Sequence, residues 1–148
     1  MNKSMGALGG IVLLFFALLV VGCGSSSDEA LSKSEFVKQG NAICAEATKA
    51  REKVILELIK TSDPSASQEA TREEAVDKAM PFYEDAAEEI ADLGAPSGDE
   101  AKVEAIVDAM DEAAAQVKAN PQSAFTGNLP FRKANKAAES YGLDSCVS

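Results

Sequence analysis

Histidine and tryptophan are absent from this chain, and basic residues are scarce. The lack of histidine removes the most common general base, the most common transition-metal ligand and the usual axial ligand of haem. Lysine and arginine total 14 against 24 acidic residues, which gives a formal net charge of −10. Nucleic-acid binding and general adhesion to anionic lipid both depend on basic side chains. The composition therefore argues against a nucleic-acid partner and against electrostatic adhesion of the whole chain to a membrane.

Catalytic and cofactor motifs are also missing. The chain has no G-x-S-x-G elbow, no phosphate-binding glycine-rich loop, no C-x-x-C redox pair and no EF-hand-like loop. We therefore expect no cofactor, no metal site and no catalytic residue, and we predict that the protein is not an enzyme. An enzyme that uses carboxylates is the weakest hypothesis, because nothing marks the cleft that must desolvate one of them.

Strand patterns are lacking as well. The β-branched residues show no sustained alternation with polar ones. Alanine, glutamate, lysine and leucine, which lose little free energy on entering a helix, are plentiful. A chain of 148 residues has room for one domain with a core large enough to fold unaided. The sequence predicts an all-α domain.

The N-terminal segment is typical of an export signal. Lys3 precedes a continuous apolar run over 11–21, which is shorter than the ~20 residues of a spanning helix. This length and basic flank are those of a secretory signal peptide. No twin arginine is present, which favours the general secretory route.

The end of that run is more specific. The letters VVGC at 20–23 resemble a bacterial lipobox, with Val20 where leucine is more common. The resemblance implies that the sulfur of Cys23 receives a diacylglycerol and that the signal peptide 1–22 is removed. Residues 23–31 then form a lipidated flexible tether. A plain signal peptide cut elsewhere, or an uncleaved N-terminal anchor, is the alternative.

Two long helices are predicted after the tether. Ser32 and Glu35 have the spacing of a capping box, which marks the start of the first helix. Pro64 ends it, because proline cannot continue a helix. The second helix covers about 68–93, and we expect Pro81 to kink it or to split it into two.

The rest of the chain predicts two further helices. The third spans roughly 99–119, a loop follows over 120–130, and the fourth covers about 130–141. Gly142 ends the fourth helix, and Leu143 is expected to fold back onto the core. Four amphipathic helices with short connections predict an antiparallel up-down four-helix bundle, with the first and fourth helices side by side.

The three cysteines then divide into one anchor and one pair. An exported protein meets an oxidising compartment, in which two cysteines are normally paired. With Cys23 occupied by lipid, we predict a disulfide between Cys44 and Cys146 that closes the bundle over 32–148. Two free buried thiols are the alternative.

Both ends of the predicted bundle carry a resemblance. The letters FVKQGNAIC at 36–44 and ESYGLDSC at 139–146 resemble small lipoproteins of actinobacterial cell envelopes, which share N-A-I-C in the first helix and Y-G-L-x-x-C near the end. The resemblance implies a helical bundle, the pairing of Cys44 with Cys146 and an envelope location. It implies no particular activity.

Charge is distributed unevenly along the bundle. Residues 63–112 hold sixteen acids against three basic residues, whereas 31–60 hold six basic residues against four acids. Four acids recur every fourth residue in the third helix, namely Glu100, Glu104, Asp108 and Glu112. These acids either solvate exposed helix faces or form a surface for a basic partner or a cation. A calcium site is disfavoured, because a straight row does not converge oxygens on one point.

Two functional hypotheses remain. The first is a non-catalytic envelope interaction protein, anchored outside the cytoplasm to the cell membrane through Cys23, that presents the acidic surface to a protein or cell-wall partner. The second is a small-molecule or lipid carrier with an apolar cavity inside the bundle, since many alanines in a core can leave voids.

Overall fold

The computed structural model describes residues 30–127 and 129–147. The predicted signal peptide and Cys23 lie outside these residues. The described part folds into four α-helices and two short 3₁₀ turns, with no strand. The helices are α1 (Lys33–Thr61), α2 (Gln68–Asp92), α3 (Glu100–Ala119) and α4 (Arg132–Tyr141), and the turns are Pro121–Phe125 and Asp144–Cys146. The predicted all-α helical bundle is confirmed.

The start of α1 has the predicted capping box. The Ser32 hydroxyl accepts a hydrogen bond from the Glu35 N–H at 3.3 Å, and the Glu35 carboxylate accepts one from the Ser32 N–H at 3.1 Å. These bonds satisfy donors that the first helical turn leaves without partners. At the other end, the Ser62 hydroxyl donates to the Leu58 carbonyl at 2.6 Å. Side chains therefore fix both ends of the longest helix.

The proline inside α2 does not divide it. Helix α2 continues through Pro81 as one element, so the predicted alternative of two separate helices is wrong. Pro81 lies on an exposed face of the helix, as does Asp77, whose carbonyl loses its helical partner. Water can satisfy that carbonyl, while the buried face of α2 keeps the whole segment packed.

The core is built from small and medium side chains of all four helices. Its largest fully buried members are Phe36, Ile90, Ile106, Met110, Val117 and Leu143. Alanine contributes many of the core positions and is buried at Ala86, Ala87, Ala109, Ala113, Ala114, Ala134 and Ala138. Leu143 is completely buried, which confirms that the chain folds back after α4.

Contacts between α1 and α2 run in opposite order along the two helices. Ile43 and Glu89 line one groove between them, whereas Val54 and Lys78 line another. Residues near the start of α1 therefore meet the end of α2. This order favours the predicted antiparallel arrangement.

Helix α4 is much shorter than α1. Its 10 residues span about 15 Å and the 29 residues of α1 about 43 Å, at 1.5 Å per residue. The end of α4 reaches the beginning of α1, where the Tyr141 and Phe36 rings pack edge to face with centroids 5.8 Å apart. The predicted side-by-side packing of the first and fourth helices is wrong, because α1 packs mainly against α2 and the turn Asp144–Cys146, and α4 packs mainly against α3.

Candidate functional site

The structure joins both described cysteines in one disulfide. Cys44 on α1 and Cys146 in the last 3₁₀ turn are bonded, with their Cα atoms 4.9 Å apart. Both side chains are buried. The predicted pairing is confirmed, and the alternative of two free thiols is wrong. Cys23, the predicted lipidation site, lies outside the described residues.

Asn41 binds the chain end next to this disulfide. Its amide nitrogen donates to the carbonyls of Gly142 at 2.8 Å and Val37 at 3.0 Å. Its amide oxygen accepts from the Ser145 N–H at 2.7 Å. One side chain therefore satisfies backbone groups on both sides of the turn that follows α4.

Gly40 allows the same chain end to approach α1 closely. A Cβ atom at Gly40 would lie 2.7 Å from Cδ2 of the buried Leu143. Together with Asn41 and the disulfide, this contact forms a unit that we call the C-terminal clasp, made of Gly40, Asn41, Cys44, Leu143 and Cys146. The N-A-I-C and Y-G-L-x-x-C segments therefore meet in one structural element.

A second polar cluster joins three elements at the same end of the bundle. Asp99, which precedes α3, accepts a hydrogen bond from the Tyr141 hydroxyl at 3.0 Å and pairs with Lys102 and with Lys33, the latter at 3.6 Å. The Lys33 ammonium also lies 4.3 Å from the centroid of the Tyr141 ring. The bond to Lys102 and the Tyr141 hydroxyl lower the pKa of Asp99. Burial and the Asp99 bond raise the pKa of Tyr141 to about 12.

Most acids of residues 63–112 face solvent. A few of them pair with lysines in the described part, at Glu74–Lys78, Glu84–Lys118, Asp99–Lys33, Asp99–Lys102 and Glu112–Lys133. Glu104 and Asp108, in the middle of the α3 row, form no ion pair within residues 30–127 and 129–147 and are exposed. The centre of the row therefore presents two carboxylates without a direct ion pair, although the charge of Asp108 contributes to the raised pKa of Lys133.

These two carboxylates line an open groove between α2 and α3, which we call the acidic groove. The groove has a volume of about 330 Å³. Its lining combines small apolar side chains with acids, namely Ala91, Ala95, Val103, Val107, Glu100, Glu104 and Asp108. An apolar floor beside a row of negative charge is a surface that a basic amphipathic segment fits.

The acids at both ends of the row have lowered pKa values. A hydrogen bond from the Gly98 N–H lowers the pKa of Glu100. The bond from Lys133 lowers the pKa of Glu112. Both side chains therefore stay ionised well below neutral pH, although only Glu100 also lines the groove.

A small crevice opens beside the disulfide. It lies between α1, α2 and the C-terminal turn, with Arg51, Phe82, Tyr83, Met110 and Val147 in its walls, and has a volume of about 20 Å³. That volume suits about one water molecule, whereas pockets for drug-sized ligands have about 300–1,000 Å³. The crevice gives the carrier hypothesis no support.

Residues 30–127 and 129–147 also bear on metal binding and on membrane crossing. No group of three or more metal-ligating side chains converges in this part of the chain. Nor does any helix in these ranges combine the length and the apolar character that a membrane crossing requires.

The predicted loop 120–130 contains a 3₁₀ turn and Phe125, and Phe131 follows it directly; the two phenylalanines have different roles. Phe131 packs edge to face on Tyr83 with ring centroids 5.2 Å apart. Phe125 is 47% exposed and lies under Arg72, whose guanidinium carbon is 5.1 Å from the ring centroid. Only Phe131 closes the core.

A scan against protein-family models and searches of curated proteins and of solved structures find no match to this chain. The class that the described residues define is an all-α helical bundle closed by one disulfide.

Sequence reasoning missed the partners of Asn41 and Asp99. Asn41 bonds groups 101 and 104 residues away, and Asp99 bonds Tyr141, 42 residues away. No local pattern predicts such pairs. The one available signal was Gly40 beside Asn41, because glycine inside a helix often marks a close approach of another segment.

Proposed function

We propose that this protein is an extracytoplasmic lipoprotein, held on the cell membrane by diacylglycerol at Cys23, that presents the acidic groove to a basic envelope protein or wall component. It catalyses no reaction in this proposal. On its N-A-I-C and Y-G-L-x-x-C segments, we place it beside the small lipoproteins of actinobacterial envelopes.

The observation that carries the proposal is the pair Glu104 and Asp108. Both are exposed, neither has an ion-pair partner in the described ranges, and both line a groove whose floor includes Val103 and Val107. Adjacent acids on one helix face repel each other. A basic partner relieves that repulsion and covers the apolar floor, and both effects favour binding.

The first prediction concerns the groove. We expect the double substitution Glu104→Gln/Asp108→Asn to weaken binding of a lysine- and alanine-rich amphipathic peptide about two- to thirty-fold. The variant loses two exposed ion pairs with the peptide, and each pair contributes about 0.2–1 kcal/mol. Fluorescence titration of the labelled peptide measures the affinity. Pull-down from envelope extracts with the same variant then asks whether recovery of a natural partner falls with it.

The matched control neutralises two exposed acids elsewhere on the molecule. Glu73→Gln/Asp77→Asn makes the same change in net charge on the N-terminal half of α2. If binding depends on total charge alone, both double variants lose the same affinity. Equal affinity of the groove variant and the unmodified protein would count against the groove as the partner surface.

The second prediction concerns the anchor. Intact-mass analysis of the protein extracted from membranes is expected to show a chain that begins at Cys23 and carries the mass of two or three acyl chains. Two chains are enough for stable attachment, at about 0.8 kcal/mol per buried CH₂. A Cys23→Ala variant should stay unacylated. A mature chain that starts after residue 23, or one without acyl mass, would falsify the anchor.

A further inference from the structure

The four acids that recur along α3 turn gradually around the helix axis. We call them the acidic row: Glu100, Glu104, Asp108 and Glu112. Each residue of an α-helix advances by about 100°, so a residue four positions further on is displaced by about 40° around the axis. The first three acids line the groove with α2, whereas Glu112 does not. The row therefore begins beside α2 and ends on another side of α3.

Lys133 of α4 occupies that other end of the row. Its ammonium donates to the Glu112 carboxylate at 2.6 Å. The bond to Glu112 raises the pKa of Lys133, and the charge of Asp108 adds to the effect. Lys133 is therefore bound to the last acid of the row and attracted by the acid before it.

The position of Lys133 does not favour its own helix. It lies in the first turn of α4, where the helix dipole disfavours positive charge, and no acid of that turn offsets it. The pair with Glu112 is also open to water, since the Lys133 side chain is 68% exposed and that of Glu112 is 50% exposed. Exposed ion pairs contribute little to stability. The main consequence of the contact is therefore that Glu112 has an internal cation and the rest of the row has none bonded to it from α4.

We propose that Lys133 is an intramolecular competitor for the acidic row, because it occupies Glu112 and confines a basic partner to the three acids that line the groove. The inference rests on the proposed function of the acidic groove and names a residue that regulates the same site. Removal of Lys133 frees a fourth carboxylate, so the loss of this side chain strengthens binding.

The test uses an alanine-rich amphipathic peptide with four lysines, one at every fourth position, so that the peptide can reach all four acids. Fluorescence titration of the labelled peptide compares the unmodified protein with Lys133→Gln. We expect the variant to bind the peptide about 1.4- to 5-fold more tightly, which corresponds to one additional exposed ion pair. Thermal unfolding of the variant checks that the fold is kept.

A matched control separates the release of Glu112 from a change in total charge. Lys136→Gln makes the same change in net charge one turn further along α4, at an exposed lysine with no ion pair within residues 30–127 and 129–147. We expect this variant to gain less affinity than Lys133→Gln. Equal gains in the two variants would make total charge the cause and would overturn the proposal.

A double variant tests whether Glu112 provides the gain. Glu112→Gln/Lys133→Gln has the net charge of the unmodified protein but lacks the fourth carboxylate. We expect it to bind the peptide as tightly as the unmodified protein does. If it binds as tightly as Lys133→Gln, the gain does not come from Glu112 and the competitor role is wrong.

The groove variant Glu104→Gln/Asp108→Asn separates failure of the proposed function from failure of this inference. If the unmodified protein does not bind the peptide, or if the groove variant binds it equally well, both proposals are overturned together. Binding that depends on Glu104 and Asp108, but is the same with and without Lys133, overturns the competitor role alone.

Discussion

At the scale of single residues, Asn41 joins the chain end after α4 to α1. Its amide bonds both the Gly142 carbonyl and the N–H of Ser145 in the last 3₁₀ turn. An amide carries a donor and an acceptor on one rigid group, so few other side chains can do this. The residue before it, Gly40, leaves the room that Leu143 fills.

The third prediction follows from these bonds. Asn41→Ala leaves the two backbone groups without their partner and is expected to lower the free energy of unfolding by about 1–3 kcal/mol. Denaturant unfolding under oxidising conditions measures it. As a control, Asn120→Ala removes an amide at the end of α3 that makes no capping bond, and it should change stability by less. If both variants lose the same free energy of unfolding, the Asn41 hydrogen bonds do not stabilise the fold more than an amide without a capping bond.

At the scale of the elements, Asp99 connects the start of α3 to α1 and α4. It occupies the position before α3 where a side chain often caps the helix, yet it makes no capping bond there. Its carboxylate instead bonds Tyr141 and pairs with Lys33 and Lys102. Helix α3 therefore begins without a side-chain cap from Asp99, and the Asp99 carboxylate instead connects α1, α3 and α4 at one end of the bundle.

The fourth prediction uses the titration of this carboxylate. The pKa of Asp99 is lower in the folded protein than its ordinary value of 3.8. The contacts of the ionised carboxylate therefore stabilise the fold fully above pH 3.8, and this stabilisation is lost as the pH falls through the pKa of the folded protein. We therefore expect the unfolding free energy of the unmodified protein to fall more steeply below about pH 5 than that of Asp99→Asn. Urea unfolding at a series of pH values measures both slopes.

A control for this experiment is Asp92→Asn, which removes an exposed carboxylate with no ion pair in the described ranges. It should keep the slope of the unmodified protein, because Asp99 and its bonds remain. Parallel slopes for Asp99→Asn and the unmodified protein would contradict the role given to Asp99.

Local signals in the sequence predicted the helices, and their ends agree with the structure. The capping box at Ser32, the break at Pro64 and the stop at Gly142 each depend on neighbouring residues alone. Pro81 was predicted less well, because whether a proline divides a helix depends on packing along the other face. Likewise, the spacing of the acids predicted the row on α3. It could not predict the groove, because residues of α2 as well as α3 form the floor of the groove.

At the scale of the whole molecule, the disulfide encloses almost all of the described fold. Cys44 and Cys146 are 102 residues apart, so α2, α3 and α4 lie within one covalent loop. Closing a loop of about 100 residues restricts the unfolded chain and stabilises the fold by about 4.7 kcal/mol in the chain-entropy model. A bundle whose core is rich in alanine buries little area per residue and depends on such a constraint.

The fifth prediction is the effect of opening this loop. Reduction, or the double substitution Cys44→Ala/Cys146→Ala, is expected to lower the free energy of unfolding by about 4–5 kcal/mol. Denaturant titration with and without reductant measures it, and reductant should not affect the double variant further. Thiol labelling of Cys44 and Cys146 in the native, unreduced protein would show that the bond is not formed.

The covalent loop also determines how the molecule responds to mechanical load. Suppose that a partner held in the acidic groove pulls against the lipid at Cys23: the force enters α1 at its first turn and tends to peel that helix from the bundle. Peeling can release only residues 33–43 before it reaches Cys44, which extends the chain by about 20 Å. Beyond that point the tension passes through the sulfur–sulfur bond, and the helices that form the groove bear it as one closed ring.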